Sequence, residues 1–421
     1  MTGTRDLVLV AVTVVAAATW AVAAVVDGSS PTQALPAATT VVLAVGAVIV
    51  RSRSGLPAGA TTTPRWFVPA VLLVASAGAI AWGLRDDPAA GARVGVAALV
   101  MASPAATILG APLAFSVGAS RARAHGVQLR DLDTVRATSR LDTLVLEKDG
   151  TVTTGDLTVV SVEPVEPDHD RNLRWFAGAL EKASDHRVGR AVATLSARGQ
   201  LSDVEVVDGL GIRGSVDRHP VRVGSPDWIG IDIRPTIWTT VGVEVDGRAL
   251  GSITVADDVR PDLTRDVARL TALGLDLVLV SGDGDERTRH VAGLAGISQF
   301  HSACDAARTG EVVRSLVADG LVVATVGTTA SDGATLAFTT PDEPVAGRPV
   351  IVVDDLAPAR IADAVEAARA TGWRVRRSGR VAVLLGALGV AAALTGVAGA
   401  VVMAATAAGI AAVTAAVATS G

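Results

Sequence analysis

Apolar residues fall into two patterns along this chain. In the first, uncharged blocks run for about the length of a membrane crossing, roughly 20 residues. They cover 7–26, 31–50, 66–84 and 94–118 toward one end and 381–421 at the other. The last block breaks naturally at Thr395-Gly396-Val397-Ala398-Gly399, so it predicts two helices. The pattern therefore predicts an α-helical bundle of six membrane helices, four within 1–119 and two within 379–421. Pro104 and Pro112 fall inside the fourth run. Prolines there are expected as tolerated kinks in one continuous helix.

The second pattern occupies 120–378. Short apolar runs at 141–146, 275–280, 321–326 and 349–353 each end in polar residues, and amphipathic helices over 262–273 and 309–318 precede the second and third of them. Continuous apolar strands alternating with helices predict a parallel, doubly wound α/β sheet. Such folds place their sites at the carboxyl ends of the strands. The sheet is split by an α+β insert, so 120–156 and 251–373 form one domain and 157–250 a second. The insert carries a helix over 172–182 and the string Gly209-Leu210-Gly211-Ile212-Arg213-Gly214. Val216-Asp217-Arg218-His219-Pro220 follows rather than a helix, so a glycine-bearing hairpin is favoured over a dinucleotide loop.

Charge then sets the orientation. The 51–65 loop holds Arg51, Arg53 and Arg65 and no acid, and basic residues flank the 120–378 segment. Arginines in short loops mark the cytoplasmic side. Both termini and 120–378 are thus expected in the cytoplasm of a multi-pass plasma-membrane protein. The 120–378 segment carries eight more acidic than basic residues, which argues against nucleic acid as a partner. One cysteine, Cys304, excludes an intramolecular disulfide and reads as an ordinary loop thiol.

The chemistry-bearing strings come in a telling order. Glu147-Lys148-Asp149-Gly150-Thr151-Val152-Thr153 follows the first strand and Ser281-Gly282-Asp283-Gly284 the second. Ser184-Asp185-His186-Arg187 and Gly209-Leu210-Gly211 lie in the insert, then Asp257-Asp258-Val259-Arg260-Pro261. Gly327-Thr328-Thr329-Ala330-Ser331-Asp332 follows the third strand, and Ser103-Pro104-Ala105 lies in the fourth apolar run. From about residue 94 onward this order resembles the heavy-metal P-type ATPases, cation pumps with a haloacid-dehalogenase-like phosphorylation domain. Their strings are D-K-T-G-T-L-T, T-G-D-N, S-E-H-P, G-x-G, D-x-x-R-P, G-D-G-x-N-D and C-P-C.

The resemblance implies a site built from Glu147, Lys148, Asp149, Thr151, Ser281, Asp283, Arg308 and Asp332. It also implies a pocket for ATP lined by Asp185, His186, Gly209 and Gly211. The departures imply that the site is a remnant. Glu147 stands where the family has its phosphoryl-accepting Asp, and a misplacement of about 1 Å can cost ~100-fold. Asp149 stands for a threonine and puts negative charge where phosphate should sit. Thr328 stands for a magnesium-ligating Asp, so Mg2+ binding is expected to be weak. Arg308 takes the place of a lysine. Ser103 and Ala105 replace the cysteines of C-P-C, and no apolar run contains Asp, Glu, His or Cys, so a transported ion is not expected. The actuator domain of the family would fall where only the 51–65 loop lies. The expected function is a catalytically impaired, nucleotide-binding pump homologue serving as a regulatory or structural membrane subunit. Its small-residue terminal helices suit a membrane-protein partner or self-association. The alternatives are a minimal ATP-driven cation transporter with Glu147 as phosphoryl acceptor, and a membrane-tethered phosphatase.

Overall fold

The structure is a computed structural model. It describes residues 66–86, 88–102, 104–196, 198–233, 236–327, 333–342, 348–396 and 400–420. The apolar runs 7–26 and 31–50 and the 51–65 loop lie outside the described residues.

The chain enters through helices α1 (Phe67–Arg85), α2 (Pro88–Met101) and α3 (Pro104–Ala124), strand β1 (Val127–Leu129) and helix α4 (Leu132–Ser139). Strands β2 (Thr143–Glu147) and β3 (Thr153–Pro164) lead to α5 (Asp170–Glu181) and α6 (Arg187–Ala193). Four strands follow, β4 (Leu201–Val207), β5 (Gly211–Val216), β6 (His219–Gly224) and β7 (Thr239–Val245), then β8 (Arg248–Val259). Helix α7 (Leu263–Ala272) feeds β9 (Asp276–Val280), and α8 (Asp285–Ala295) feeds β10 (Gln299–His301). Helix α9 (Ala306–Ala318), β11 (Val323–Val326), β12 (Leu336–Thr339) and β13 (Val350–Val353) precede the long helix α10 (Pro358–Leu394) and α11 (Ala400–Thr419).

Two compact units result, one holding the chain up to Arg140 with 347–354 and 363–421, the other 141–346 with 355–362. In the first, β1 pairs antiparallel with β13. Phe67, Val71 and Ala75 of α1 pack on Ala97, Ala98 and Met101 of α2, and Val390 and Ala393 of α10 join them. Two glycines let α10 come close. A Cβ on Gly389 would lie 2.5 Å from the Met101 carbonyl oxygen, and one on Gly386 would lie 2.7 Å from that of Ala102. Trp82 Nε1 donates to the Leu394 carbonyl at 3.0 Å, where α10 ends.

The expected unbroken fourth span, 94–118, is two helices: α2 stops at Met101 and α3 starts at Pro104. Proline has no N–H to continue the ladder and disfavours helical geometry in the residue before it, yet suits a first helical turn. Pro104 opens a helix instead of kinking one. Six membrane helices are not seen among the described residues. Two, Phe67–Arg85 and Pro358–Leu394, are long and apolar enough to cross a membrane, while Pro88–Met101 and 405–419 are apolar but shorter. The basic stretch 374–380 lies inside α10 rather than in a loop before it.

The second unit holds two sheets. Strands β12, β11, β2, β9 and β10 lie side by side in that order, and the pairings of β11, β2, β9 and β10 with their neighbours are parallel. The largely buried, apolar character of β2, β9, β11 and β12 is what a sheet covered on both faces requires. The other sheet is antiparallel, ordered β3-β8-β7-β6-β5-β4. Leu173, Phe176, Leu180 and Val192 of α5 and α6 pack on Ile212, Val223, Val243 and Ile253 of this sheet. Gly209 sits in the turn between β4 and β5, so the glycine string is the hairpin expected of it. Gly211 has φ +151°, and a Cβ there would lie 2.2 Å from the Val223 carbonyl oxygen.

Candidate functional site

β2 delivers Glu147 to the carboxyl end of the parallel sheet, and the chain then turns sharply. Asp149 is extended and Gly150 takes φ +76°, a conformation that glycine adopts without strain. Arg260 holds this turn: it donates to the Gly150 carbonyl at 2.8 Å and forks onto Asp355 at 2.7 and 2.9 Å.

The turn sends Lys148 inward, where it is 4% exposed. Its Nζ donates to Asp257 Oδ2 at 2.7 Å and to Asp283 Oδ2, and lies 3.1 Å from Asp149 Oδ1. Burial works against the ammonium charge. Hydrogen bonds to Asp257 and Asp283, with the charges of Asp257 and Asp149, outweigh it and hold Lys148 above the usual lysine range. Burial likewise favours the neutral form of Asp283, but Lys148, Arg287 and Ser281 together keep its carboxyl below the usual range. Arg287 Nη1 donates to Asp283 Oδ1 at 3.3 Å. The Asp283 N–H donates to Ser281 Oγ at 3.1 Å.

Asp149 is occupied on both sides. Besides Lys148, its Oδ2 accepts from Arg187 Nη1 at 3.3 Å. Arg187 in turn donates to the Gly155 carbonyl at 2.6 Å, which ties the first turn of α6 to the start of β3.

A cavity of about 210 Å³ opens beside this cluster. Glu147, Lys148 and Asp149 form one wall, Ser281 and Gly282 a second, and Asp305, Ala306 and Thr309 at the start of α9 a third. Cys304 also lines it, and burial pushes its thiol up against the pull of Arg308. Arg308 sits on the first turn of α9, where its N–H donates to the capping Asp305 carboxylate at 2.8 Å. It is not among the residues lining the cavity. Thr151 is buried beneath the turn, and its Oγ1 has no partner among the described residues. Thr328 and Asp332 lie outside the described residues.

Glu147 folds over Gly327, which ends β11 with φ +155°. A Cβ at Gly327 would fall 2.2 Å from the Glu147 Cδ. Gly327→Ala is therefore expected to destabilise the second unit by at least about 1 kcal/mol, from backbone strain plus the clash. Chemical denaturation of the single variant and of its combination with Glu147→Ala checks this. The pair recovers the steric part if the Glu147 contact is its source.

A second cavity, about 410 Å³, lies in the antiparallel domain. His186, Gly209, Gly211, Gly189, Val241 and Glu181 are among its lining residues. His186 caps α6, with Nδ1 accepting from the Val188 N–H at 3.3 Å. Asp185 is exposed and is not among the lining residues; its backbone carbonyl accepts from Arg190 at 2.8 Å. Glu181 is 6% exposed, and burial pushes its carboxyl up to about 7 although Ser184 partly offsets this. A mostly apolar cleft of this size with a few convergent polar groups has the anatomy of a small-molecule site. Its narrow glycine walls and a carboxyl able to accept or donate suit a flat heterocycle such as a nucleobase. Among the described residues no three His, Cys, Asp or Glu side chains converge in a metal-binding group.

The sequence motifs thus meet in two places: Glu147, Lys148, Asp149 and Ser281 line one cavity, with Asp283 bound to Lys148 beside it, and His186, Gly209 and Gly211 line the other. Four residues escaped the sequence reading. Asp257 and Arg260 belong to the Asp257–Pro261 string, Arg287 stands one turn after Asp283, and Glu181 ends the buried face of α5. Its one signal was an acid directly following the apolar position Leu180.

No family profile matches the chain. Over 287 residues it is 33% identical to a copper-exporting P-type ATPase of Mycobacterium tuberculosis, covering 64% of this chain and 38% of that protein. A cation-transporting P-type ATPase B of Mycobacterium leprae is 28% identical over 288 residues, again 64% of this chain and 38% of the relative. Among solved structures, a zinc-transporting PIB-type ATPase in its E2.Pi state superposes with a TM-score of 0.69 at 18% identity, over 89% of this chain and 66% of that one. At that identity the likeness is one of fold. Sequence, fold and the arrangement of motifs agree in likening this chain to heavy-metal P-type ATPases, and it spans about two fifths of the length of the curated relatives it matches.

Proposed function

We propose that the chain is a nucleotide-binding but catalytically impaired pump homologue, held in the plasma membrane by several helices and acting as a regulatory or structural subunit. The observation that carries this reading is the placement of Asp149. Phosphoryl transfer rests on positive charge aimed at the transferred group. Here Lys148 and Arg187, the nearest cations, are already bound to the carboxylate of Asp149, and Lys148 also to Asp257 and Asp283. An incoming phosphate would meet a built-in anion in place of free donors. The same acid-rich wall, with Thr328 in a position that the resemblance gives to a carboxylate, argues for weak Mg2+ binding. The cavity at His186, Glu181 and Gly211 fits the base of ATP and needs none of the altered residues.

Ser103 and Ala105 supply no soft ligand beside the helix break, which speaks against ion transport. Helices α1 and α10, together with the apolar runs 7–26 and 31–50, support a multi-pass bundle with both termini cytoplasmic. The small-residue apolar face of α11 supports association with a membrane partner or a second copy.

Membranes containing the full chain test this reading. With labelled ATP we expect bound nucleotide but neither turnover nor an acid-stable phosphoenzyme. The variant Glu147→Asp, Asp149→Thr, Thr328→Asp is expected to gain label. A native phosphoenzyme that disappears in Glu147→Ala would overturn the proposal in favour of ATP-driven cation transport.

A further inference from the structure

A charged cleft in the first unit is unrelated to either motif cavity. It encloses about 1030 Å³ between α4 and α10. On α10 it uses Arg376, Gly379, Arg380, Val383, Leu384 and Ala387, spacings of three and four that form one helix face. On α4 and just beyond it uses Arg136, Ser139 and Arg140 at the same spacing. The cleft is graded along its length. Four arginines stand at the α4 end, while Val383, Leu384 and Ala387 continue into an apolar stretch where Leu384 and Leu388 stay exposed. Trp66 lines the cleft at the start of α1 and is 62% exposed.

Three of the four arginines have no carboxylate partner among the described residues. No acidic residue lines the cleft. Asp133 pairs with Arg136 at 3.0 Å. Arg140, Arg376 and Arg380 have no carboxylate within ion-pair distance among the described residues. Gly372 lets the two helices close up. A Cβ there would meet Ser139 Oγ at 2.9 Å and an Arg376 guanidinium nitrogen at 3.2 Å. Arg376 thus lies back toward α4, and both helices present cations to the same mouth.

We propose that this cleft binds the headgroup of an anionic phospholipid, its phosphate between Arg140, Arg376 and Arg380 and its acyl chains along Val383, Leu384 and Ala387. The occupant follows from complementarity. A soluble anion would use the arginines and leave the apolar half wet; a neutral lipid would use the apolar half and leave three cations unpaired. Trp66 marks the level of the interface, where tryptophans gather, and basic pockets on the cytoplasmic side of helix bundles suit such headgroups. The inference rests on the membrane reading above, so its test scores insertion separately.

The full chain is first floated with phosphatidylcholine vesicles after alkaline washing; failure to float would remove the membrane reading itself. It is then placed in nanodiscs of phosphatidylcholine, with or without equal parts of phosphatidylglycerol. Thermal unfolding and native mass spectrometry read lipid retention. The wild type is expected to retain phosphatidylglycerol selectively and to melt at higher temperature with it. Arg376→Gln with Arg380→Gln is expected to weaken that retention about 30-fold, the equivalent of about 2 kcal/mol at 1.4 kcal/mol per tenfold. Arg376→Lys with Arg380→Lys keeps the charge and is expected to keep most of the selectivity, which separates lost binding from lost folding. Inorganic phosphate added to phosphatidylcholine discs is expected to give no stabilisation. Equal retention of the two lipids by the wild type, or unchanged selectivity in the glutamine variant, overturns the proposal. Stabilisation by inorganic phosphate alone would replace it with a soluble-anion site.

Discussion

Lys148→Met is expected to destabilise the second unit by about 3–5 kcal/mol, the usual cost of removing one partner from a buried charge cluster. Nothing else among the described residues takes over its role. Asp257 is buried and has Lys148 as its closest cationic partner, with Arg187 next at 4.0 Å. Asp283 keeps Arg287 at 3.3 Å and is spared the full penalty. Adding Asp257→Asn to Lys148→Met removes the stranded carboxylate and is expected to recover much of the loss. Chemical denaturation of the full chain, followed by a probe of the parallel-sheet domain, measures both. A loss under about 1 kcal/mol, within the range of exposed ion pairs, would show that the cluster is not a structural keystone.

The pH dependence has a definite sign at each end. Lys148 is held above its ordinary 10.5, so its contribution is complete below that pH and is lost as pH rises through the folded value. Asp283 is held below its ordinary 3.8, so its contribution is complete above that pH and is lost as pH falls through the folded value. Between these limits the cluster adds a constant amount, so a stability change near neutrality must come from elsewhere.

Glu181 is where it comes from. Its carboxyl is raised from 4.5 to about 7 by burial in the second cavity. Below 4.5 the acid is neutral folded and unfolded, and its titration costs nothing. Above 4.5 the unfolded chain ionises first, and the penalty grows until the folded acid ionises near 7. At pH 8 the full cost is present, roughly 3 kcal/mol at 1.36 kcal/mol per pKa unit. Glu181→Gln is therefore expected to raise stability by about that much at pH 8 and to leave it nearly unchanged at pH 4. Denaturation at the two values checks this. Equal effects at both would mean that packing, not ionisation, sets the cost of the residue. The same variant loses a carboxyl that faces the proposed nucleobase site, so a gain in stability paired with weaker nucleotide binding is the expected trade.

How far the sequence carried depends on which force shaped each element. β2, β9, β11 and β13 were legible because a covered parallel sheet favours short, mostly apolar runs, and 141–146, 275–280, 321–326 and 349–353 are such runs despite Asp142 and Asp276 near the starts of the first two. The helix break at 102–103 was not, because hydropathy records side chains and the break is a backbone event at Pro104. Lys148 and Asp283 could be placed by their strings. Asp257 lies 109 residues from Lys148 in sequence, and only the pairing of β3 with β8 brings the two together. Glu181 was hidden for a similar reason. Ser184 in the turn after α5 and Gly189 of α6 lie beside it, and its raised acid exists only once burial has closed around it.

The close approach of α10 to the end of α2 also sets what this bundle tolerates by way of mutation. Much of α10 is alanine, valine and leucine, among which exchanges of similar size cost little. Gly386 and Gly389 are different, since even a single methyl at either would press on the last carbonyls before the break. The two positions thus act as a lock with one key. A library of α10 sequences selected for a folded bundle would vary freely around them and return glycine at both.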